Sequence, residues 1–454
     1  MRALNLFLLF HAAAVVLDAT ERWQRPEGCV AVLAGALLLL AVPEEKEGWG
    51  RVLVPAWLLG TMLPLLALAP DLANHRNLTL YVNALVLGVM ALGRFESVGP
   101  LLRASTVVVY LFAGFHKLNR DFLFEPQVSC AGGFFDGLAR QWVGVGLQLP
   151  PAVVVALAAS VVLLELGLAF ALLLSSPSSR VRRGALIAAW SLHAVLALGG
   201  FFDFSALMFA LLWSFVPAQW IESPEVMRRA KWGLAIVLCA SALSALAVGH
   251  RVMHLLQGAS LIVMLVLVAV PVLRAWRTSP STSAQSHTGA AVVPVPRMLW
   301  MFPALLALFA SSNYLGLRTA GTFSMFSNLR TEGGRSNHLL VPARHPLLFA
   351  DHAADLIWID NLDPRARLLP ESQSVIGLGV PRIELARHLA RWEAEGLGEI
   401  RATVRDAHGV RHDVPDLARA EAITGTLRTE AWKQRLLDFR PVQPESHGPN
   451  RCRW

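Results

Sequence analysis

The chain contains few charged residues. Only 16% of its 454 residues are Asp, Glu, Lys or Arg, whereas 55% are hydrophobic, and the mean hydropathy is +0.49. Soluble domains carry about 25% charged residues. This composition therefore excludes a single soluble domain, and its hydrophobicity excludes a disordered chain.

Cysteine is also scarce, and the few cysteines form no motif. Cys29, Cys130, Cys239 and Cys452 share no CxxC spacing, which argues against a zinc site or a pair of neighbouring redox thiols. The histidines and aspartates within residues 338–355 match no standard metal-ligand spacing. The sequence thus predicts no metal.

The net charge of +8 does not indicate a nucleic-acid partner. Much of the positive excess lies in short loops between apolar stretches, and no basic stripe alternates with aromatic residues. Basic loops beside apolar stretches are typical of membrane proteins.

The charged residues are unevenly distributed along the chain. Residues 318–454 hold 36 of them, or 26% of that part, and residues 1–317 hold the other 36, or 11%. This predicts an all-α polytopic membrane bundle over residues 1–317 and a small extracytoplasmic α+β domain over residues 318–454. Residues 274–297 include a charge-free stretch rich in Ser, Thr and Pro, which predicts a flexible linker within the first domain.

Eleven apolar stretches approach the length that a membrane-spanning helix needs, roughly 17–25 residues. They are residues 4–20, 28–43, 52–70, 78–93, 99–118, 151–174, 184–200, 204–220, 232–249, 252–273 and 298–316. The stretches 28–43 and 78–93 are short, so we expect nine to eleven spans. The first stretch could be a cleaved signal peptide, but it contains His11 and no small-x-small cleavage pattern follows it, which favours a retained helix.

Loop charges predict the orientation of the bundle. With a cytoplasmic N-terminus and eleven spans, fourteen basic residues lie in inner loops and six in outer loops. This bias places the C-terminal domain outside.

This orientation puts Cys29, Cys130 and Cys452 near the outer face and leaves Cys239 buried in the ninth span. An oxidising compartment favours a disulfide among the first three, most of all Cys130–Cys452. The alternative is three unpaired thiols that lie too far apart.

The sharpest local feature is residues 110–121, YLFAGFHKLNRD, which close the fifth span with His116 and Lys117. The chain has 36 Arg but only four Lys, and a buried lysine, unlike an arginine, can lose its proton and act as a base. The alternative is an interfacial anchor. Asp121, one turn beyond, could pair with the ammonium and keep it protonated.

Two further groups accompany this segment. Asn74 and His75 open the fourth span on the same predicted outer face, either as cap and loop residues or as partners of Lys117 in one pocket. Residues 134–142 could form an amphipathic interfacial helix that roofs this pocket, with its Phe and Trp facing lipid. Glu165 and His193 lie deep within spans, which indicates a function or, alternatively, a hydrogen-bonded pair that joins their two helices.

The chain resembles the horizontally transferred transmembrane (HTTM) family, which includes the vitamin K-dependent γ-glutamyl carboxylase. The resemblance covers most of residues 1–345 and rests on five pieces in the same order. They are Asn74-His75, residues 110–122 (YLFAGFHKLNRDF), residues 163–165 (LLE), His193 with the following residues 202–225, and residues 322–340 (TFSMFSNLRTEGGRSNHLL). The last piece is typical of bacterial members, which implies a bacterial inner membrane.

The resemblance implies a reaction centre. In the carboxylase, the lysine that matches Lys117 is the base that deprotonates a reduced naphthoquinone, and the histidine that matches His75 lies at the same site. The cofactor implied is thus a vitamin K-like quinol or menaquinol. We expect His116, Asn74, His193 and Glu165 to contribute to substrate binding. The matching pieces do not include the region that holds the carboxylase's protein substrate, so carboxylation of a protein is not implied.

Two functions from different classes remain open. The first is a γ-carboxylase-like membrane enzyme, a lyase if active, that uses Lys117 on a lipid-soluble quinol or another apolar substrate, with a protein or small molecule as a further substrate. The second is a non-catalytic membrane protein that binds lipid or a partner through the bundle and its outward tail domain. A transporter is favoured only by Glu165 and His193, because the sequence has no paired broken helices.

Overall fold

The computed structural model describes residues 2–20, 26–41, 47–69, 72–177, 179–221, 223–246, 250–278, 294–341, 356–369, 375–405, 409–420, 431–443 and Cys452. The predicted linker, residues 274–297, falls mainly on residues 279–293, which lie outside these ranges. Residues 274–278 continue a helix, and residue 297 begins the next helical segment.

Fifteen α-helices fill the described residues before Gly316. They are α1 (Arg2–Thr20), α2 (Pro26–Ala41), α3 (Glu47–Leu68), α4 (Asn74–Ala91), α5 (Val98–His116), α6 (Arg120–Leu123), α7 (Cys130–Val143), α8 (Pro151–Leu174), α9 (Arg180–Leu198), α10 (Phe202–Leu212), α11 (Ala218–Ile221), α12 (Pro224–Leu246), α13 (His250–Thr278), α14 (Met301–Ala310) and α15 (Ser312–Leu315). Short 3₁₀ turns at Phe95–Ser97, Trp213–Phe215 and Arg297–Trp300 adjoin α5, α10 and α14. Each apolar stretch of the sequence falls on a helix, which confirms the all-α character of this part.

Some of these helices have the dimensions of membrane spans. Among the described residues, four segments are long and apolar enough to cross a membrane: Phe95–His116, Pro151–Leu174, Arg180–Leu198 and Arg251–Arg277. Shorter apolar helices of 10–17 residues are Leu4–Ala19, Val52–Leu68, Phe202–Phe215 and Arg297–Ala310.

The centre of the helical region is built on α1 and α10. The two helices pack against each other, and α1 also packs against α12. Leu6, Phe10 and Leu17 on α1 are fully buried, as are most side chains of α10. A helix that is apolar on all sides is stable when other helices enclose it. α5, α8 and α9 pack in sequence beside this centre.

The C-terminal domain contains an antiparallel sheet of four strands, β1 (Leu356–Leu362), β2 (Leu378–Pro381), β3 (Ala402–Arg405) and β4 (Arg411–Val414), in the order β2-β1-β3-β4. β3 and β4 pair from Ala402 opposite Val414 to Arg405 opposite Arg411. In the described part of this domain, three α-helices accompany the sheet: α16 (Pro364–Arg367), α17 (Arg382–Ala394) and α18 (Ala431–Leu436). α17 buries an apolar face formed by Ile383, Leu385, Leu389 and Trp392.

Residues 318–341, here called the connecting segment, lie between the helices and the C-terminal domain. They form no regular helix or strand. The Thr319 amide donates to the Asp438 carbonyl oxygen at 2.8 Å, and the Arg318 guanidinium pairs with the Asp438 carboxylate. On the other side, a ring nitrogen of His338 lies 2.9 Å from the carbonyl oxygen of Phe115 at the end of α5. The segment therefore connects the C-terminal domain to the end of α5.

Candidate functional site

Lys117 and Glu165 form an ion pair in the helical region. Lys117 caps the C-terminus of α5, and Glu165 lies within α8. The Lys117 ammonium donates to Glu165 Oε2 at 2.8 Å and to Oε1 at 3.0 Å. The Lys117 side chain is only 6% exposed and that of Glu165 is 12% exposed. The sequence indicates both residues, and it leaves open that Asp121 could pair with the ammonium. In the described part of the chain Lys117 pairs with Glu165, and Asp121 Oδ2 accepts from the Asn337 amide at 2.8 Å.

A glycine on α5 permits this pairing. A Cβ atom at Gly114 would lie 2.9 Å from Leu166 Cγ and 3.2 Å from Glu165 Cβ, both on α8. Such distances are closer than ordinary van der Waals contact, so only glycine fits between the two helices. The close approach of α5 and α8 brings Glu165 within reach of Lys117, one turn further along α5.

An apolar cavity of about 120 Å³ adjoins the ion pair. Among its described lining residues, Lys117 and Glu165 are the charged ones, and the others are mainly apolar. Phe134, Phe204 and Phe326 contribute aromatic rings from α7, α10 and the connecting segment. The cavity thus combines an acid–base pair with walls suited to an apolar ring.

One wall of the cavity belongs to the connecting segment and has an unusual backbone. Phe323 and Phe326, which line the cavity, have φ angles of 61° and 56°, and Asn328 has 53°. Bulky residues rarely adopt this left-handed region, and such conformations persist where the surroundings hold them in place. Asn328 is held by two hydrogen bonds, one from the Cys130 amide to its side-chain oxygen and one from its amide to the Val128 carbonyl, both at 2.8 Å.

α7 forms another wall, and a disulfide anchors its first residue. The amphipathic helix predicted over residues 134–142 is confirmed within α7, but the expectation that its phenylalanines face lipid is wrong, because Phe134 and Phe135 line the cavity. Cys130 also lines the cavity and is disulfide-bonded to Cys452, as predicted. Cys239 is a free thiol on α12 and is exposed, so its predicted burial is wrong.

The structure does not bring His75 to Lys117. His75 Nε2 lies 3.0 Å from Asp203 Oδ2 and 3.3 Å from Asp18 Oδ1, and Arg76 also donates to Asp18 at 2.9 Å. His75 is absent from the described lining of the cavity, although Phe204, next to Asp203, belongs to it. The ligand atoms of Asp18, His75 and Asp203 lie within 4.8 Å of one another, close enough to hold a metal ion. The neighbouring Arg76 supplies the positive charge that a cation would bring, so we assign this group as an ion-pair cluster.

His193 and Glu165 do not bond to each other, contrary to the structural alternative considered for them. His193 Nε2 lies 2.9 Å from the hydroxyl oxygen of Tyr110 on α5, while Glu165 binds Lys117. His193 is 2% exposed, and its Nδ1 atom has no hydrogen-bond partner among the described residues. His193 and Glu165 therefore contact Tyr110 on α5 and its C-cap Lys117, which lie about two helical turns apart.

His116 and Asn74 support the connecting segment and are not among the described residues that line the cavity. The two ring nitrogens of His116 lie 2.7 Å from the Tyr314 hydroxyl oxygen and 3.1 Å from the Thr322 carbonyl oxygen. The Asn74 side-chain oxygen accepts from the Phe323 amide. These two residues hold the segment that carries Phe323 and Phe326.

The chain matches no protein-family model, no curated protein and no solved structure in comparisons with known proteins. The site is therefore interpreted from its own geometry. The sequence did not indicate the aromatic lining from Phe204, Phe323 and Phe326; the signal available for it was the presence of their segments in the resemblance. Nor did it indicate Tyr110 as the partner of His193.

Proposed function

We propose that this chain is an integral membrane protein of nine to eleven spans that binds a lipid-soluble hydroquinone at Lys117 and Glu165 and removes a hydroxyl proton from it. The single observation that carries the proposal is the Lys117–Glu165 pair on the wall of an apolar cavity. Burying two charges costs several kcal/mol per ion before their attraction is counted. A pair retained in such a place supports proton exchange with a bound molecule.

The cavity favours a ligand with one aromatic ring inside and the remainder outside. A protein cavity of about 150 Å³ holds a benzene molecule, so a cavity of about 120 Å³ suits a single ring. Val195 on α9 lines the cavity and is also 38% exposed. We therefore place the hydrocarbon tail of the ligand along α9 at Val195, where it would lie in the lipid.

The resemblance to the HTTM family agrees with this ligand class, since a quinol is the substrate that the family pattern implies for Lys117. The proposal does not include carboxylation of a protein. It also gives His75 no direct part in the chemistry, because His75 pairs with Asp18 and Asp203 and does not line the cavity in the described part of the chain.

A cavity-filling substitution tests the proposal. Ala113 lines the cavity one turn before Lys117, so Ala113→Phe would place a ring where the ligand ring binds. We expect at least tenfold weaker binding of a short-chain naphthohydroquinone, measured anaerobically by titration calorimetry in nanodiscs. Ala156→Phe on the exposed face of α8 is the matched control and should bind as the unaltered protein does. No binding by the unaltered protein, or equal binding by Ala113→Phe, would refute the proposal.

The second candidate function is a non-catalytic membrane protein that binds lipid or a partner. One observation favours it: Lys117 is fully hydrogen-bonded within the protein, to Glu165 and to the Ala113 carbonyl oxygen at 3.3 Å, as in a structural ion pair. In this case phospholipid should occupy the cavity, and Lys117→Met with Glu165→Gln should change stability but leave lipid binding intact.

The orientation with the C-terminal domain outside forms part of the proposal. The basic loops favour it, and so does the Cys130–Cys452 disulfide, because disulfides persist in oxidising compartments. The bacterial inner membrane, with a cytoplasmic N-terminus, is the corresponding location.

A further inference from the structure

This inference rests on the proposed function, that is, on a hydroquinone bound beside Lys117 and Glu165. The geometry points to Glu165 as the group that accepts the hydroxyl proton, with Lys117 as a permanent ammonium that stabilises the resulting oxyanion. This exchanges the roles that the family resemblance implies, in which the lysine is the base.

The hydrogen bonds of Lys117 match its charged form. An ammonium group carries three N–H donors, and a neutral amine carries two. Lys117 Nζ has three acceptors within hydrogen-bond distance: Glu165 Oε2 at 2.8 Å, Glu165 Oε1 at 3.0 Å and the Ala113 carbonyl oxygen at 3.3 Å. A neutral amine beside an ionised Glu165 carboxylate would leave one of these acceptors without a donor in a buried site, which is unfavourable.

Glu165 has capacity for a further donor. Each carboxylate oxygen accepts up to two hydrogen bonds, and in the described part of the chain each oxygen of Glu165 receives one, from Lys117. Because Glu165 also lines the cavity, its second acceptor positions are available to a ligand hydroxyl. Lys117, by contrast, has no lone pair to offer while it is protonated.

The proton step conserves charge within the site. The ligand O–H bond breaks, its proton forms an O–H bond with a Glu165 carboxylate oxygen, and the electron pair stays on the ligand oxygen. Glu165 becomes a neutral carboxylic acid, and the Lys117 ammonium turns from the carboxylate to the new oxyanion. One positive and one negative charge are present before and after, so no net charge is created in the apolar cavity.

Substitution of Glu165 tests whether Glu165 or Lys117 is the base, because it removes the carboxylate and leaves Lys117 in place. The probe is a short-chain naphthohydroquinone kept reduced under anaerobic conditions, and the readout is the absorbance of its bound monoanion between pH 6 and 9. We expect Glu165→Gln to bind the probe with loss of the anion absorbance at neutral pH, since an amide cannot accept the proton. Glu165→Asp, which keeps a carboxylate, should restore part of the signal.

Lys117→Arg provides a second and independent variant. A guanidinium is always charged and cannot serve as a base, but it can stabilise an oxyanion. We expect this variant to keep part of the anion absorbance, reduced because the planar guanidinium has a different donor geometry, and it decides the question alone if Glu165→Gln fails to fold. An anion signal that persists in Glu165→Gln, or that disappears in Lys117→Arg while the probe still binds, would overturn the assignment of Glu165. Absence of probe binding in the unaltered protein would instead refute the proposed function.

Discussion

At the scale of single residues, the site depends on one glycine that lets two helices touch and on two charged side chains that pair beside it. Gly114 allows α5 and α8 to touch, and this contact places Glu165 against Lys117. The lysine at position 117 is unusual for this chain, because arginine occupies 36 of its 40 Lys and Arg positions. A compact ammonium fits between the Glu165 carboxylate and the Ala113 carbonyl, where the larger planar guanidinium has a different donor geometry.

Substitution of Gly114 should disturb the site without touching either charge. The added methyl group of Gly114→Ala would overlap Leu166, and overpacking of this kind costs about 1–3 kcal/mol. We expect a lower unfolding temperature in nanodiscs and weaker binding of naphthohydroquinone. Gly167→Ala is the matched control, because a Cβ at Gly167 meets no atom within 4 Å. Equal behaviour of the two variants would show that the close approach at Gly114 is unimportant.

The residue types of the site were predictable, but their pairing was not. Lys117 and Glu165 stand out in the sequence because ionisable residues are costly within apolar stretches. Their contact depends on the rotation of two helices about their axes, which apolar stretches with little amphipathic character do not specify. His75 illustrates the same limit: the order of helices places it near the same end as Lys117, but its partners are on α1 and α10.

At the scale of elements, the cavity is closed by parts that are distant in sequence. α7 and the connecting segment supply two walls, and the Cys130–Cys452 disulfide joins residues 322 positions apart in the chain. The helices follow directly from the apolar stretches, so their existence was predictable from the sequence. The left-handed backbone at Phe323 and Phe326 was not, because bulky residues rarely adopt it and tertiary contacts impose it.

Removal of the disulfide should loosen the wall formed by α7. A crosslink between distant residues mainly restricts the unfolded chain, and its loss typically costs about 2–5 kcal/mol. We expect Cys452→Ala to lower the unfolding temperature and to weaken hydroquinone binding, because Cys130 lines the cavity. Cys239→Ala, at the free and exposed thiol, should change neither quantity. A Cys452→Ala protein as stable as the Cys239→Ala protein would contradict this role.

α17 should make the stability of the C-terminal domain depend on pH. Burial raises the pKa of Glu384 to about 7, although the nearby Arg387 opposes this shift. The folded domain therefore binds the Glu384 proton more tightly than the unfolded chain does, and the stability from this group is fully present below pH 4.5 and is lost as pH rises through 7.

Comparison with Glu384→Gln isolates this effect. The free energy of unfolding of the unaltered protein, relative to Glu384→Gln, should fall between pH 4.5 and 7.5 by up to roughly 3 kcal/mol. Thermal or denaturant unfolding at several pH values measures it, with the same substitution at the exposed Glu393 of α17 as control. A difference that stays constant or grows with pH would contradict the raised pKa of Glu384.

At the scale of the whole molecule, two parts of different composition are connected through residues 318–341. The charge distribution predicted this division, and the four-stranded sheet near the C-terminus agrees with it. The sequence could not indicate that the connecting segment also lines the cavity, since tertiary contacts such as those of Asn74, His116 and Asn328 hold the segment that carries Phe323 and Phe326.

The orientation of the molecule is directly testable. We expect an alkaline phosphatase fused after Trp454 to be active and a green fluorescent protein at the same position to be dark in a bacterial host, because the distribution of basic residues predicts a C-terminus outside. The opposite pattern would invert the topology and would leave the disulfide in a reducing compartment.

The most direct test of the central claim is the identity of the molecule that the cavity retains. The unaltered protein and Ala113→Phe are purified in parallel from membranes in mild detergent, and their bound lipids are extracted and quantified by mass spectrometry. We predict a quinone or hydroquinone, near one molecule per protein, with the unaltered protein and at least tenfold less with Ala113→Phe. Phospholipid alone in both preparations, with no quinone above the level of a control membrane protein, would contradict the account.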